Sequence, residues 1–262
     1  VPLLKGSLNK EYSFDEAKDL VKNALKVFGS DYQELLGKAF NAKWIDIYPN
    51  IGKTGGAYSS GSYTTNPYIL LNYQGTLNDV STLAHELGHS MHSYYSRHNN
   101  PYQTSNYKIF VAEVASTVNE LLLAYYMLNN SKDDNEKLFI LNRLMELFRT
   151  TTYRQTMFAR FEKEIYDKSE KGEILTPDVM CDIYYNLNKK YFGDEVIVDD
   201  EIRYEWERVP HFYYNFYVYK YATSYCAAVA LSEAILNNEE GAVKKYLEFL
   251  SMGGSAYPLD EL

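Results

Sequence analysis

Three of the chain's five histidines, His85, His89 and His92, fall inside the stretch TLAHELGHSMHSYY, Thr82 to Tyr95. His85 and His89 stand four residues apart with Glu86 between them, the pattern HExxH. On a helix that spacing leaves the two imidazoles about 40° apart in rotation and one turn apart in height. Two nitrogens so placed can share a zinc ion at roughly 2.0–2.1 Å each. Glu86 is turned about 100° from His85. That is too far round to complete the ligand set, yet close enough to reach a metal-bound water whose pKa falls towards about 7. Glu86 is therefore the candidate general base. Gly88 leaves the backbone beside these groups uncluttered.

A catalytic zinc takes three protein ligands and keeps a fourth position open. The extended pattern HExxHxxGxxH does not supply the third, because position 92 is His and position 95 is Tyr. Ligands at 85, 89 and 92 on one straight helix would spread over roughly 10 Å of axis. His92 is therefore expected to pack or to support a ligand. Glu113 is the candidate third ligand. It interrupts an otherwise apolar stretch, Ile109 to Val118, where a carboxylate is expensive to bury unless it meets a cation. Antiparallel packing across a short loop would carry it to the histidines, and a solvated helix edge is the alternative. Glu120, two turns on, could support a histidine.

The elements that must position these groups are mostly helical. Ser13 and Glu16 form a capping box ahead of a helix that Gly29 stops. A second helix is expected over Tyr32–Phe40 and a strand around Trp44–Tyr48, ended by Pro49. A glycine-rich hairpin follows, with YILLNY, Tyr68–Tyr73, as its return strand. Thr76 and Asp79 open the histidine helix, expected over Leu77–Arg97. The next helix is expected from near Asn106, and a long helical region over Asp134–Lys171. Another helix starts at Thr176-Pro177 and ends at Gly193. HFYYNFYVYKYATSYCAAVALSEAIL, from His211, reads as one more helix, and EEGAVKKYLEFLSMGG as the last. The expected fold is mainly α, with a small β-sheet before the HExxH helix. Residues 1–262 read as one domain with neither internal repeat nor linker.

Composition narrows the partners. With 46% hydrophobic residues, a net charge of −9 and no basic run, the chain is not built as a nucleic-acid binder. The acidic surface is read as solvation. No apolar run reaches transmembrane length, so no membrane partner is expected. Cys181 and Cys226 lie far apart without CxxC spacing, which points to a reducing, cytoplasmic setting. The start, VPLLKGSLNKEY, has neither an initiator Met nor the regions of a signal peptide. The chain is accordingly expected to be a fragment, or processed at its start.

GGAYSSGSY, PYILLNYQGTLNDVSTLAHELGHSMHSYY, FVAEVASTVNE and PHFYYNFYVYKYATSYCAA follow one another in an order and spacing that resemble the thimet-oligopeptidase-like zinc peptidases, within them the oligoendopeptidase F group. The resemblance covers nearly all of residues 1–262. Val1-Pro2-Leu3 resembles the end of the family's DLYVPL segment, and SMGGSAYPLDEL its GGS-YP-L segment. The chain thus resembles the C-terminal catalytic portion of a longer protein. The resemblance implies a zincin-like helical catalytic domain. It also implies one zinc ion on His85, His89 and Glu113, with Glu86 as general base. Substrates would be short oligopeptides cut at internal bonds in a deep channel, one wall of which comes from an N-terminal half.

The same resemblance implies a His and tyrosines that hold substrate and the oxyanion, and His211, Tyr219 and Tyr217 are the candidates. Read as a helix, Tyr214, Tyr217 and Tyr221 share one face, and a tyrosine OH can donate to a developing oxyanion. A plain aromatic core is the other reading of that face. The hairpin residues Gly56, Ala57 and Tyr58 could bind an extended peptide through main-chain pairing at an exposed strand edge. Two rival functions stay open on sequence. One is a metallocarboxypeptidase of similar helical fold, and the other a non-catalytic zinc-containing module that binds peptide.

Overall fold

Two capping boxes open the helices that frame the histidines. Ser13 Oγ accepts the Glu16 N–H and Glu16 Oε2 accepts the Ser13 N–H, which starts helix α1, Phe14–Ala24. Thr76 and Asp79 do the same for α3, Leu77–Asn99. Between them lie α2, Ser30–Asn41, and strands β1, Ile45–Asp46, β2, Tyr58–Ser60, and β3, Tyr68–Leu70. These come from a computed structural model that describes residues 10–262, so Val1-Pro2-Leu3 lies outside the described residues.

β3 is the middle strand, parallel to β1 with Ile45 opposite Ile69, and antiparallel to β2 with Ser59 opposite Ile69. The regular strands are shorter than the alternation predicts. Main-chain bonds from Ile69 to Trp44 and from Tyr73 to Ile47 nevertheless extend the β1–β3 pairing. Pro49, which cannot donate, lies just past it.

α3 packs on α4, Val114–Asn130. The two backbones meet at Gly88, where a Cβ would stand 2.5 Å from Ser116 Cα. On these helices Leu83, Ala84, Leu87 and Met91 of α3 and Val114, Val118, Leu121 and Leu122 of α4 are buried. By length and composition residues 109–130 could cross a bilayer. Within them Val114 to Leu123 are buried throughout, as in a core helix.

The helix expected from Asn106 begins only at Val114, after a 3-10 turn at Ile109–Val111. Ser105 O would be the first acceptor of a helix opened at Asn106. It instead accepts Ser96 Oγ at 2.6 Å, and Gly254 N bonds the neighbouring Thr104 O.

The chain divides into two compact units. One runs through Met145 and resumes at Ser224–Leu262, and the other is Glu146–Thr223. The long helical region consists of α5, Asp134–Phe148, a π turn at Arg149–Tyr153, and α6, Arg154–Glu170. α7, Pro177–Phe192, follows the Thr176 cap and stops at Gly193, whose φ of 75° suits glycine. The core of the second unit joins Met157, Phe158 and Phe161 of α6 to Ile183, Tyr184 and Leu187 of α7, with Val209 and Val218. The segment from His211 is not the helix its apolar run suggests. A 3-10 turn, Pro210–Tyr213, leads into Asn215 and Phe216 at φ 49° and 53°, and α8, Tyr219–Leu236, starts only after them. α9, Ala242–Met252, and α10, Pro258–Glu261, end the chain. The fold is mainly α with a three-stranded sheet ahead of the HExxH helix, as expected.

Candidate metal centre

On α3 the two imidazoles project to one side as the four-residue spacing requires, with His85 Nε2 and His89 Nε2 3.1 Å apart. Glu113 sits at the N-cap position of α4 rather than inside it. There its carboxylate gains from the helix dipole. Ser116 Oγ, one turn on, donates to Glu113 Oε2 at 3.1 Å. That oxygen stands 3.4 Å from His85 Nε2 and 3.5 Å from His89 Nε2. His85, His89 and Glu113 thus offer three donor atoms that could hold one ion.

The donor set fits a metal. A regular tetrahedron with bonds of about 2.0–2.1 Å has edges of about 3.3 Å, which the triangle of 3.1, 3.4 and 3.5 Å matches. Chemistry agrees. Glu120 Oε1 lies 2.7 Å from His85 Nδ1, and a carboxylate only accepts, so the proton is on Nδ1. In a neutral His85 ring Nε2 is then a lone pair facing another ring nitrogen and an anionic oxygen, an arrangement that calls for positive charge, supplied by a metal ion or, without one, by a second proton. The titration behaviour points the same way. Burial opposes a proton on His85, but the Glu120 hydrogen bond and the nearby carboxylates outweigh it and raise the ring to about 9. Burial also disfavours the Glu113 anion, yet the His89 hydrogen bond and both rings hold it at about 2.

Glu86 is buried, and its Oε2 has no hydrogen-bond partner in the protein. Burial pushes its carboxyl up, and His85 and His89 only partly oppose it. An unsatisfied buried carboxylate oxygen is costly, and here it belongs to the motif's own acid. Ser59 Oγ and Ser90 Oγ, 2.8 Å apart, tie β2 to α3 in the same unit.

A shell of partners fixes the ligands. While Glu120 Oε1 meets His85, its Oε2 accepts Ser81 Oγ at 2.8 Å and Arg143 Nη2 at 3.3 Å. Asn119 Nδ2 donates to Ala84 O at 3.1 Å, bracing α3 on α4 beside His85. Sequence reasoning singles out Glu120 but misses Ser81, Asn119 and Arg143. Ser81 lies one turn before His85, a readable signal, whereas nothing local marks Arg143. His92 is away from the ligand set. It is buried and stacked on Tyr107 at 3.7 Å, and burial lowers its pKa to about 3.

The hairpin candidates lie in the unit that holds the histidines. β2 is an edge strand among the described residues. Gly56 and Ala57 border a cleft of about 190 Å³ with Asn72, Asn78 and Thr82. Gly56 O accepts Asn72 Nδ2 at 2.8 Å, and Tyr58 is half exposed.

His211, Tyr214, Tyr217 and Tyr219 belong to the second unit. His211 lies 5.6 Å from the Tyr217 ring and 6.5 Å from Tyr214, and Tyr217 is 6.0 Å from Tyr214 and 5.7 Å from Tyr221. The rings expected on one helical face do meet, but the turn at Asn215-Phe216 brings them together rather than a helix. Tyr219, the first residue of α8, is 37% exposed.

Comparison with known proteins agrees with the geometry. A profile described as peptidase family M3 matches residues 10–262. Oligopeptidase PepF of Bacillus subtilis is 52% identical over 261 residues, covering 100% of this chain and 39% of its own length. A plasmid-encoded oligoendopeptidase F of Lactococcus lactis is 46% identical, covering 97% of this chain and 42% of its own. The crystal structure of oligoendopeptidase F from Enterococcus faecium superposes with a TM-score of 0.69 at 34% identity, over 97% of this chain and 41% of that one. The chain therefore spans about two fifths of the length of the relatives it matches.

Proposed function

The chain belongs to peptidase family M3, and from that premise we propose that it carries the catalytic centre of a zinc-dependent endopeptidase that hydrolyses internal bonds of short oligopeptides. The observation that carries this reading is the donor triangle of His85, His89 and Glu113 beside the unpartnered Glu86 Oε2. His85, His89 and Glu113 would hold the ion. Zinc in that set supplies a Lewis acid that polarises a carbonyl and makes a water acidic near neutral pH.

The chain's own residues do the rest. Glu86 Oε2 takes a proton from the attacking water. The water oxygen bonds to the scissile carbonyl carbon, the C–N bond breaks, and Glu86 hands the proton to the departing nitrogen. Glu120 keeps the His85 proton on Nδ1 and so keeps Nε2 a donor atom. A substrate strand pairs along β2, near Gly56, Ala57 and Tyr58, through main-chain groups that read no side chain. His211 and Tyr217, with Tyr219 and Tyr214, hold the peptide and donate to the oxyanion. The clustering of His211, Tyr214 and Tyr217 into one aromatic group supports this.

We place residues 1–262 in one catalytic domain of a longer, cytoplasmic protein whose N-terminal half packs against it. Two free cysteines and the two-fifths coverage of the relatives support that placement. So do Leu138, Leu141 and Met145, 43–61% exposed at helical spacing on α5. The test is Glu86→Gln in a digest of peptides of graded length. The variant should keep its zinc and lose cleavage, wild-type cleavage should stop with a chelator, and the products should be internal fragments. Normal turnover by Glu86→Gln excludes the mechanism, and release of single C-terminal residues would mean a carboxypeptidase instead.

A further inference from the structure

Glu162 is a charged residue that nothing in the metal centre uses. It lies on α6, only 1% exposed. Its Oε1 accepts the backbone N–H of Phe216 at 2.6 Å, and its Oε2 has no protein partner. One turn on, the Tyr166 OH donates to Asn215 Oδ1 at 2.8 Å, and the Tyr166 ring lies 4.6 Å from the Phe216 ring. Two residues at i and i+4 on one helix thus grip two consecutive residues of the turn.

Those two residues are the ones in the left-handed region, Asn215 at φ 49° and Phe216 at φ 53°. Asparagine tolerates that region, whereas a bulky aromatic residue there is an outlier that the surroundings must hold in place. A buried carboxylate bonded to the Phe216 N–H does so. The turn has a consequence for its neighbours. Tyr217 follows Phe216 directly, and its ring lies 5.6 Å from His211 and 4.6 Å from the Lys220 ammonium. Burial pushes the Glu162 carboxyl up, with the Phe216 N–H and the Lys220 charge opposing it. Residue by residue, the contacts run from α6 through the turn to the aromatic cluster.

We propose that Glu162 is a positioning residue that latches the Asn215-Phe216 turn and thereby sets how His211 and Tyr217 are presented to bound peptide. The inference rests on the reading of His211 and Tyr217 as peptide-contacting groups. It assigns Glu162 no contact with substrate or metal.

The test compares the full chain with Glu162→Gln, which keeps an acceptor oxygen, and Glu162→Leu, which does not. Hydrogen exchange of the Phe216 amide reads the latch without reference to activity. Glu162→Leu should speed it about 10-fold or more, and Glu162→Gln should leave it near wild type. Peptide hydrolysis reads the consequence. Glu162→Leu should lower kcat/KM about 10- to 100-fold at unchanged zinc content, and Glu162→Gln should restore most of it. Faster exchange with unchanged kcat/KM overturns the positioning role, and unchanged exchange in Glu162→Leu overturns the latch. If Glu162→Leu does not fold, Tyr166→Phe removes the adjacent bond and should give smaller changes of the same sign in both readouts; their absence also overturns the proposal. A wild-type chain that cleaves no peptide, with Phe216 exchange behaving as predicted, defeats the proposed function and leaves the latch standing.

Discussion

Gly88→Ala is the sharpest perturbation the metal centre allows, because it touches no ligand. An added Cβ would stand 2.5 Å from Ser116 Cα, 2.6 Å from Ala115 O and 2.7 Å from Ser116 N. All three are backbone atoms of α4 and cannot rotate aside. Relieving the shortest contact to an ordinary 3.4 Å requires α3 and α4 to part by roughly 0.9 Å. His85 and His89 ride on α3. Glu113 enters from α4, and Ser116, the residue struck, is the one that hydrogen-bonds its carboxylate. The displacement therefore passes into the donor triangle, where metal bonds tolerate only about 0.2 Å.

Two magnitudes follow. Overpacking of this kind costs about 1–3 kcal/mol, which for a chain of this size lowers the melting midpoint by about 2–4 °C per kcal/mol. Zinc affinity should fall by about 10- to 100-fold. Melting the chelator-treated proteins isolates the packing cost, and competition against a chromophoric chelator measures the metal separately. A variant with wild-type zinc affinity would refute the claim that the close approach at Gly88 sets the triangle. An unchanged midpoint without metal would refute the claim that the backbones cannot part cheaply.

Glu120→Gln keeps the volume but replaces the anion beside His85 Nδ1, so zinc affinity should fall by about 10-fold; an unchanged affinity in the chelator competition would remove Glu120 from the support of His85. Glu136, outside the ligand set, accepts Tyr12 OH and Lys10 Nζ. Burial disfavours its charge, but the bonds from Lys10, Ser131 and Tyr12 outweigh this and hold its carboxyl below the ordinary 4.5. A depressed folded-state value means stability that is present above 4.5 and lost as pH falls below it. Glu136→Gln should therefore be less stable than wild type by about 1 kcal/mol at pH 7. In denaturant titrations across pH that gap should close below pH 4.5, and a constant gap would rule out the charge as its source.

How much of this could be read from the chain alone follows from the range of the interactions. Ser13-Glu16 and Thr76-Asp79 announce α1 and α3 because a capping box is complete within four residues. His85, Glu86 and His89 are legible because one helical turn fixes their relation. Glu113 is legible for a different reason, as a lone carboxylate in an apolar run that must meet a cation. Its setting is not: the run reads as helix, yet Ser105 O is taken by Ser96 and α4 begins only after Glu113. The same failure recurs at His211. The apolar run there reads as helix from His211, and where it breaks the Phe216 N–H bonds a residue 54 positions earlier. At His211 the partner is remote in sequence, whereas ahead of Glu113 Ser105 O is bonded by Ser96, nine residues back, and the neighbouring Thr104 O by Gly254; in both places the break sets the geometry of a proposed functional group. A helix through Glu113 would have fixed its carboxylate by helical phase; the N-cap position lets Ser116 and the helix dipole hold it instead. Backbone groups claimed by tertiary partners inside a helical pattern are therefore where this chain's candidate chemistry departs from its local code.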